Sequence, residues 1–184
     1  MTEKRLFTIR DMEEGDLDAV VEIARQSWKP VFVSWRELMG EPIFSRIYED
    51  WQDDKESQIR RAAAPESGMA FLVAVADRRV AGFVSWRVDQ DKQGKGPVAE
   101  IGNNAVDPEW QNRGIASGLY AEVIRRCRAA DVATIKVTTG LDPSHAPARR
   151  AYEKAGFGSG IPMVTYWQDL KLTSIRETLM IGQV

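Results

Sequence analysis

The stretch Val106-Asp107-Pro108-Glu109-Trp110-Gln111-Asn112-Arg113-Gly114-Ile115-Ala116 decides the fold. Before it, Ala99 to Val106 reads as a strand. After it, Ile115, Leu119, Val123, Ile124 and Cys127 form an apolar stripe on a helix reaching about Ala130. The segment is therefore a turn that carries the chain from a strand into a long helix. The first turn of a helix leaves backbone N–H groups unpaired and holds the positive end of the macrodipole. A pyrophosphate can collect several of those donors where no side chain blocks its approach. Gly114 and Ala116 give that clearance, while Gln111 and Arg113 add side-chain donors at the rim, the arginine with a full charge. A plainer reading stays open, in which Gly114 starts a helix and Ala116 packs under a sheet. Two other phosphate-binding patterns are missing from the chain: G-x-x-x-x-G-K-[ST], and G-x-G-x-x-G after a first strand.

Working outward, Leu6 to Arg10 reads as a first strand, with Phe7 and Ile9 facing one way. Asp16 is placed to cap a helix bearing Leu17, Val20, Val21, Ala24 and Trp28, and Pro30 is expected to end it. Ser34-Trp35-Arg36-Glu37 has capping-box form and predicts a second helix, cut by Gly40. Pro42 suits the start of a third, with Ile43, Ile47 and Trp51 on one stripe. Phe71 to Ala76 and Val80 to Val88 form a predicted hairpin around Asp77-Arg78-Arg79, followed by a polar loop from Asp89 to Pro97. Beyond the long helix come a strand at 132–138, a helix from Pro147 to Lys154 stopped by Gly156, and a predicted strand pair from Gly158 to Leu172. This order predicts an α/β domain with a mixed, partly antiparallel sheet and helices on its faces. It does not fit a purely alternating doubly wound fold.

The 184 residues make one domain, with a core expected over 6–172 and a tail at 173–184. A net charge of −2 gives no electrostatic reason to expect nucleic acid or anionic lipid as partner. A single cysteine allows no internal disulfide and fits a reducing compartment. The first residues are charged throughout, unlike a signal peptide, and no apolar run approaches the roughly 18 residues of a membrane helix. A cytoplasmic protein is expected.

Gln111-x-x-Gly114-x-Ala116, on its strand-turn-helix, resembles the acetyl-CoA signature of the GNAT superfamily, usually written Q/R-x-x-G-x-G/A. Downstream, His145-Ala146-Pro147-Ala148-Arg149-Arg150-Ala151-Tyr152-Glu153-Lys154-Ala155-Gly156-Phe157 resembles that family's second motif, N-x-x-A-x-x-x-Y-x-x-x-G-F. The order of elements from 6 to about 172 is similar too, the region 30–64 in position only. The resemblance implies a GNAT-type fold with a mostly antiparallel sheet. It also implies an N-acetyltransferase that passes acetyl from acetyl-CoA to a bound primary amine by direct attack. Cofactor contacts are then implied for Ala105, Val106, Gln111, Asn112, Arg113, Gly114, Ile115, Ala116, His145 and Ala148. At His145 the family's usual asparagine is replaced by an imidazole, which could contact the cofactor or act as a base.

Amine acetylation needs a neutral amine, a stabilised oxyanion and a proton for the leaving thiolate. Tyr152 is the candidate acid: a phenol of pKa about 10 can protonate a thiolate of about 8.5. Its family counterpart takes that role; the plainer reading is a core aromatic on the Ala148-Tyr152-Ala155 face. Glu100, inside Ala99-Glu100-Ile101, is the candidate base, unless it faces solvent or pairs with an arginine; ordered water is a further candidate. Asn103 and Asn104 stand mid-strand, either with one amide toward the cleft or as a β-bulge. Trp35 is the aromatic best placed to line an acceptor pocket. Cys127, on the apolar stripe, reads as a structural thiol, and no metal is implied. A non-catalytic acyl-CoA sensor on the same scaffold is the competing reading, and a nucleotide-binding regulatory domain a more distant one. The acceptor, a small-molecule or peptide amine, is not specified by the sequence. A homodimer through the final strands or the tail is compatible with the resemblance.

Overall fold

The computed structural model describes residues 6–89, 96–158 and 160–171. Five strands lie side by side in sequence order: β1 (Thr8–Asp11), β2 (Ala70–Ala76), β3 (Arg79–Asp89), β4 (Val98–Val106) and β5 (Thr134–Val137). The first four pair antiparallel, and β4 with β5 parallel. Alternation divides β2 between two cores. Leu72, Ala74 and Ala76 face one side of the sheet, Phe71 and Val73 the other, so the strand is apolar on both faces. The β2–β3 turn holds Asp77 and Arg78 at φ +45° and +61°, the left-handed geometry that suits the twist of a two-residue hairpin.

Three helices cover one face: α1 (Leu17–Met39), α2 (Glu41–Tyr48) and α3 (Trp51–Ala63). Val20, Ala24 and Ile59 pack there on Val73 and Phe83. The other face carries α4 (Ile115–Ala129) and α5 (Ala146–Lys154), where Ile115, Leu119, Val123 and Tyr152 pack on Leu72, Val84 and Ile101. The molecule is thus a mixed α/β layer structure, as the order of elements predicts.

Four local expectations fail, each for a physical reason. Pro30 does not end the first helix, and Ser34 does not begin another; α1 runs through both. An interior proline costs about 3 kcal/mol, but here its neighbours more than offset it. Val31 and Phe32 are buried, and the Phe32 ring stacks on Trp51 at 4.4 Å and meets Trp35 at 5.3 Å. The helix stops instead at Gly40, at φ +78°. The predicted third helix is two, because α2 ends at Tyr48 and α3 restarts at Trp51. Asp16 gives α1 no side-chain cap; its carboxylate accepts from the Glu13 N–H at 2.8 Å and from Arg10, closing the short turn before the helix. Finally, the described residues 160–171 form no strand. β-propensity becomes a strand only against a partner edge, and this segment pairs with none. Ile161, Met163, Val164 and Tyr166 are exposed, while Asp169 is drawn in to Arg46 at 2.7 Å. Most of the expected loop at 89–97 (90–95) and the tail at 173–184 lie outside the described residues.

Candidate active site

The site begins where the sheet comes apart. β4 pairs with β5 only from Val98 to Ile101, whereas on its other side β3 follows it as far as Val106. From Gly102 to Val106 one edge of β4 therefore has no neighbouring strand among the described residues. A strand edge presents main-chain N–H and C=O groups that an extended, amide-bearing ligand can pair with. At the point of separation β4 carries a bulge: Val84 faces Asn104 and Trp86 faces Ile101, leaving Ser85 opposite both Gly102 and Asn103. The Ser85 hydroxyl donates to the Asn103 carbonyl at 3.0 Å. The extra residue reverses the facing. Asn104 reaches Tyr120 and Tyr152 on the α4–α5 side, and Asn103 reaches Lys55 on the α1–α3 side. The pairing thus shows the β-bulge that was one of the two readings of these asparagines. Ala105 packs toward the α1 core and Val106 toward the α4 core. The Val106 carbonyl accepts from Ser27 Oγ at 3.2 Å and Gln111 Nε2 at 3.4 Å.

The turn into α4 is built by backbone angles. Asn112 lies at φ +60° and Gly114 at φ +81°, and the Gly118 N–H bonds the Gly114 carbonyl at 2.9 Å to open the helix. A Cβ at position 114 would meet nothing within 4 Å, so here the glycine serves the left-handed angle as well as clearance. Ile115 is buried in the core and Ala116 is half-buried, so these two can offer their N–H groups at the helix start. Gln111, Asn112 and Arg113 are exposed at the rim, the guanidinium 4.6 Å over the ring of buried Trp110.

Tyr152, on α5, is buried beside the splayed end of β4. Its hydroxyl lies 3.0 Å from Asn104 Nδ2, and Tyr120 donates to Asn104 Oδ1 at 2.7 Å. The Asn104 amide also donates to the Gly102 carbonyl at 3.1 Å. The Tyr152 hydroxyl also lies 3.2 Å from Asn104 Oδ1, to which it can donate, so the one amide side chain holds both phenols. Burial pushes the Tyr152 phenol above its ordinary value, against the bonds with Asn104 and Tyr120, so it stays protonated at neutral pH. Tyr120 escaped the sequence reading because it sits among the apolar residues of α4. A phenol in such a stripe needs a polar partner, and that was the available signal.

His145 stands where α5 begins, seven residues before Tyr152 and so near the same side of the helix, about 10 Å along it. Its Nδ1 lies 2.6 Å from Asp142 Oδ2, its ring faces Trp35 at 6.1 Å, and no described residue bonds Nε2. Desolvation pushes the Asp142 carboxyl up, but hydrogen bonds from Ser144 and His145 together outweigh it and hold the group below its ordinary value. Gly140 leaves room for this pair, since a Cβ there would lie 2.6 Å from His145 Nδ1. Ala148 packs against the α4-side core. Glu100 is on the α1–α3 side, 3.1 Å from Arg87 and 3.5 Å from Lys136 on the flanking strands, so both oxygens face cations. The structure therefore brings Asn104 and Tyr152 together with the open edge of β4 and sets Glu100 in an ion-paired ladder beside it. Lys55, buried on α3, also escaped the sequence reading, although its place between Trp51 and Ile59 on one stripe marks it. Cys127 is buried, as expected, and burial raises its thiol pKa.

Residues 20–157 match the Acetyltransferase (GNAT) family. Over 95 residues the chain is 38% identical to the L-amino acid N-acetyltransferase AaaT of Escherichia coli K12, a match covering 51% of this chain and 56% of that protein. The chain thus spans just over half the length of this curated relative. Solved structures share the fold at lower identity. An aminoglycoside acetyltransferase from an uncultured soil metagenomic sample, in complex with sisomicin, superposes with a TM-score of 0.56 at 19% identity over 90% of this chain and 97% of that one. The aminoglycoside acetyltransferase AAC(6')-Iy with a CoA-linked bisubstrate analogue gives 0.58 at 20% identity over 89% and 98%. With three quarters of its length inside the family match and both motifs on the splayed strand and the two helices beside it, the chain belongs to the GNAT acetyltransferase family.

Proposed function

We propose that this protein is an acetyl-CoA-dependent N-acetyltransferase that transfers acetyl directly to a primary amine of a small molecule or peptide. One observation carries the reading: the edge of β4 left unpaired among the described residues, the start of α4 and the Tyr152–Asn104 pair converge on the place where β4 and β5 separate. The residues fit the cofactor. The edge from Gly102 to Val106 suits the amides of a pantetheine arm, and the N–H groups after Gly114 suit a pyrophosphate. Gln111, Asn112 and Arg113 bring no negative charge to that turn. Acetyl-CoA would supply an activated thioester. Tyr152 then donates its proton to the departing thiolate, with Asn104 and Tyr120 fixing the phenol. For the amine's proton, Glu100 is hemmed by Arg87 and Lys136, whereas His145 keeps Nε2 available while Asp142 orients the ring. That arrangement favours His145 as the base. The test is calorimetric titration with acetyl-CoA and with ATP, followed by mass spectrometry of an amine panel. Binding of acetyl-CoA but not ATP, with an acetylated product, is expected; absence of CoA binding would refute the reading.

A further inference from the structure

Among the described residues, most cations near the cleft are matched by carboxylates. Arg87 and Lys136 share Glu100, and Arg25 meets Glu56. Lys55 is different. Its side chain is enclosed on the α1–α3 side of the sheet, 9% exposed, and no carboxylate lies within ion-pair distance of it among the described residues. Its ammonium sits 4.2 Å over the ring of Trp28, donates to Gln58 Oε1 at 2.7 Å and lies 3.4 Å from Asn103 Oδ1. An ammonium has three donors, so one remains after these two. Enclosing a charge without an opposite charge is costly, which is why enclosed lysines are rare unless something pairs with them. Asn103 belongs to the bulge at which β4 leaves β5, and its sequence neighbour Asn104 holds Tyr152. The unmatched cation is thus stationed beside the splayed strand, across the sheet from the proposed acid.

We propose that Lys55, with Asn103 beside it, is the binding site for a carboxylate on the acceptor, so that the acceptors are amines that carry a carboxylate, free amino acids being the simplest. This rests on the transferase reading above. The carboxylate takes the third ammonium donor and neutralises the charge over Trp28, and the Asn103 amide contributes a second polar contact. Burial has already depressed the Lys55 pKa to about 8, yet the group remains mainly protonated at neutral pH and can serve as a cation. An arriving anion would strengthen that protonation.

The experiment is calorimetric titration of the full-length protein with glycine, alanine, methionine, phenylalanine and glutamate, each as the free acid and as the α-carboxamide, without cofactor and with saturating CoA. At least one free acid is expected to bind about tenfold or more tightly than its carboxamide, because a desolvated charge pair is lost in the amide. Lys55→Met should erase that difference while leaving CoA affinity unchanged, and Lys55→Arg should retain part of it. An acid-to-amide ratio near one for every probe in the unmodified protein overturns the proposal with no variant needed. An unchanged ratio in a folded Lys55→Met protein overturns it too and leaves Lys55 a structural cation on Trp28. If the protein acetylates nothing yet the ratio and its loss are observed, the transferase reading fails and the carboxylate site stands.

Discussion

Asn104 joins the two halves of the chemistry at the scale of single residues. Its oxygen accepts from Tyr120 and its amide group lies against Tyr152, so one side chain sets the direction of the proposed acid. The sequence placed Tyr152 by its spacing within a motif, but it could not choose between Asn103 and Asn104. The bulge that separates their faces depends on how β3 pairs with β4, a long-range register that local alternation does not encode. Glu100 shows the converse: its position on the strand was legible, whereas Arg87 and Lys136 become its partners only through cross-strand pairing. Two substitutions separate the candidate bases. Glu100→Gln should leave kcat within about threefold, while His145→Ala should lower it about 100-fold. Steady-state kinetics across pH 5 to 9 reads both. A loss confined to Glu100→Gln would return the proton to the glutamate.

Elements succeed or fail here according to what they pack against. The strands β2 and β3 were legible as β-rich runs on either side of a short polar turn, and α4 because its stripe is long. The segment 158–172 was not, since its β-rich composition describes a strand only when an edge is there to receive it. The long α1 was hidden by Pro30, which local rules treat as a stop. Pro30 is exposed within that helix, so Pro30→Ala should restore a main-chain bond and raise stability by about 1–3 kcal/mol. Chemical denaturation measures this, and a decrease would mean that the proline's local shape is needed for the packing of Phe32 and Trp35. At the start of α4, Gly114→Ala must place an ordinary residue at φ +81°, at a cost of about 1–2 kcal/mol. A higher KM for acetyl-CoA is expected to accompany it. Normal KM with unchanged stability would show that the turn tolerates the side chain.

The whole molecule is a sheet held between two cores, and Lys55 is a charge enclosed beside one of them. That enclosure has a consequence for stability against pH. Burial lowers the Lys55 pKa from 10.5 to about 8, so between those values the unfolded chain binds the proton more tightly than the folded one. Stability from this group therefore rises with pH across that window, and the penalty is full below pH 8. Denaturation of the unmodified protein and Lys55→Met, compared at pH 7.5, 9 and 10.5, should show the stability advantage of the variant shrinking as pH rises; a constant difference would contradict the enclosed, protonated lysine. The overall architecture was legible because element order and two motifs constrain a GNAT layout. The carboxylate site was not, because it joins α1, α3 and β4, which meet only in the folded molecule.

Tyr152 is proposed to protonate a leaving thiolate in a cleft that would hold acetyl-CoA. The most direct measurement is amine-dependent release of free CoA thiol by the unmodified protein and by Tyr152→Phe, side by side, with acetyl-CoA affinity determined for both. A kcat lower by about 100-fold or more is expected in the variant, with acetyl-CoA bound equally well. Equal thiol release by both proteins, or no amine-dependent release by the unmodified protein, would contradict it.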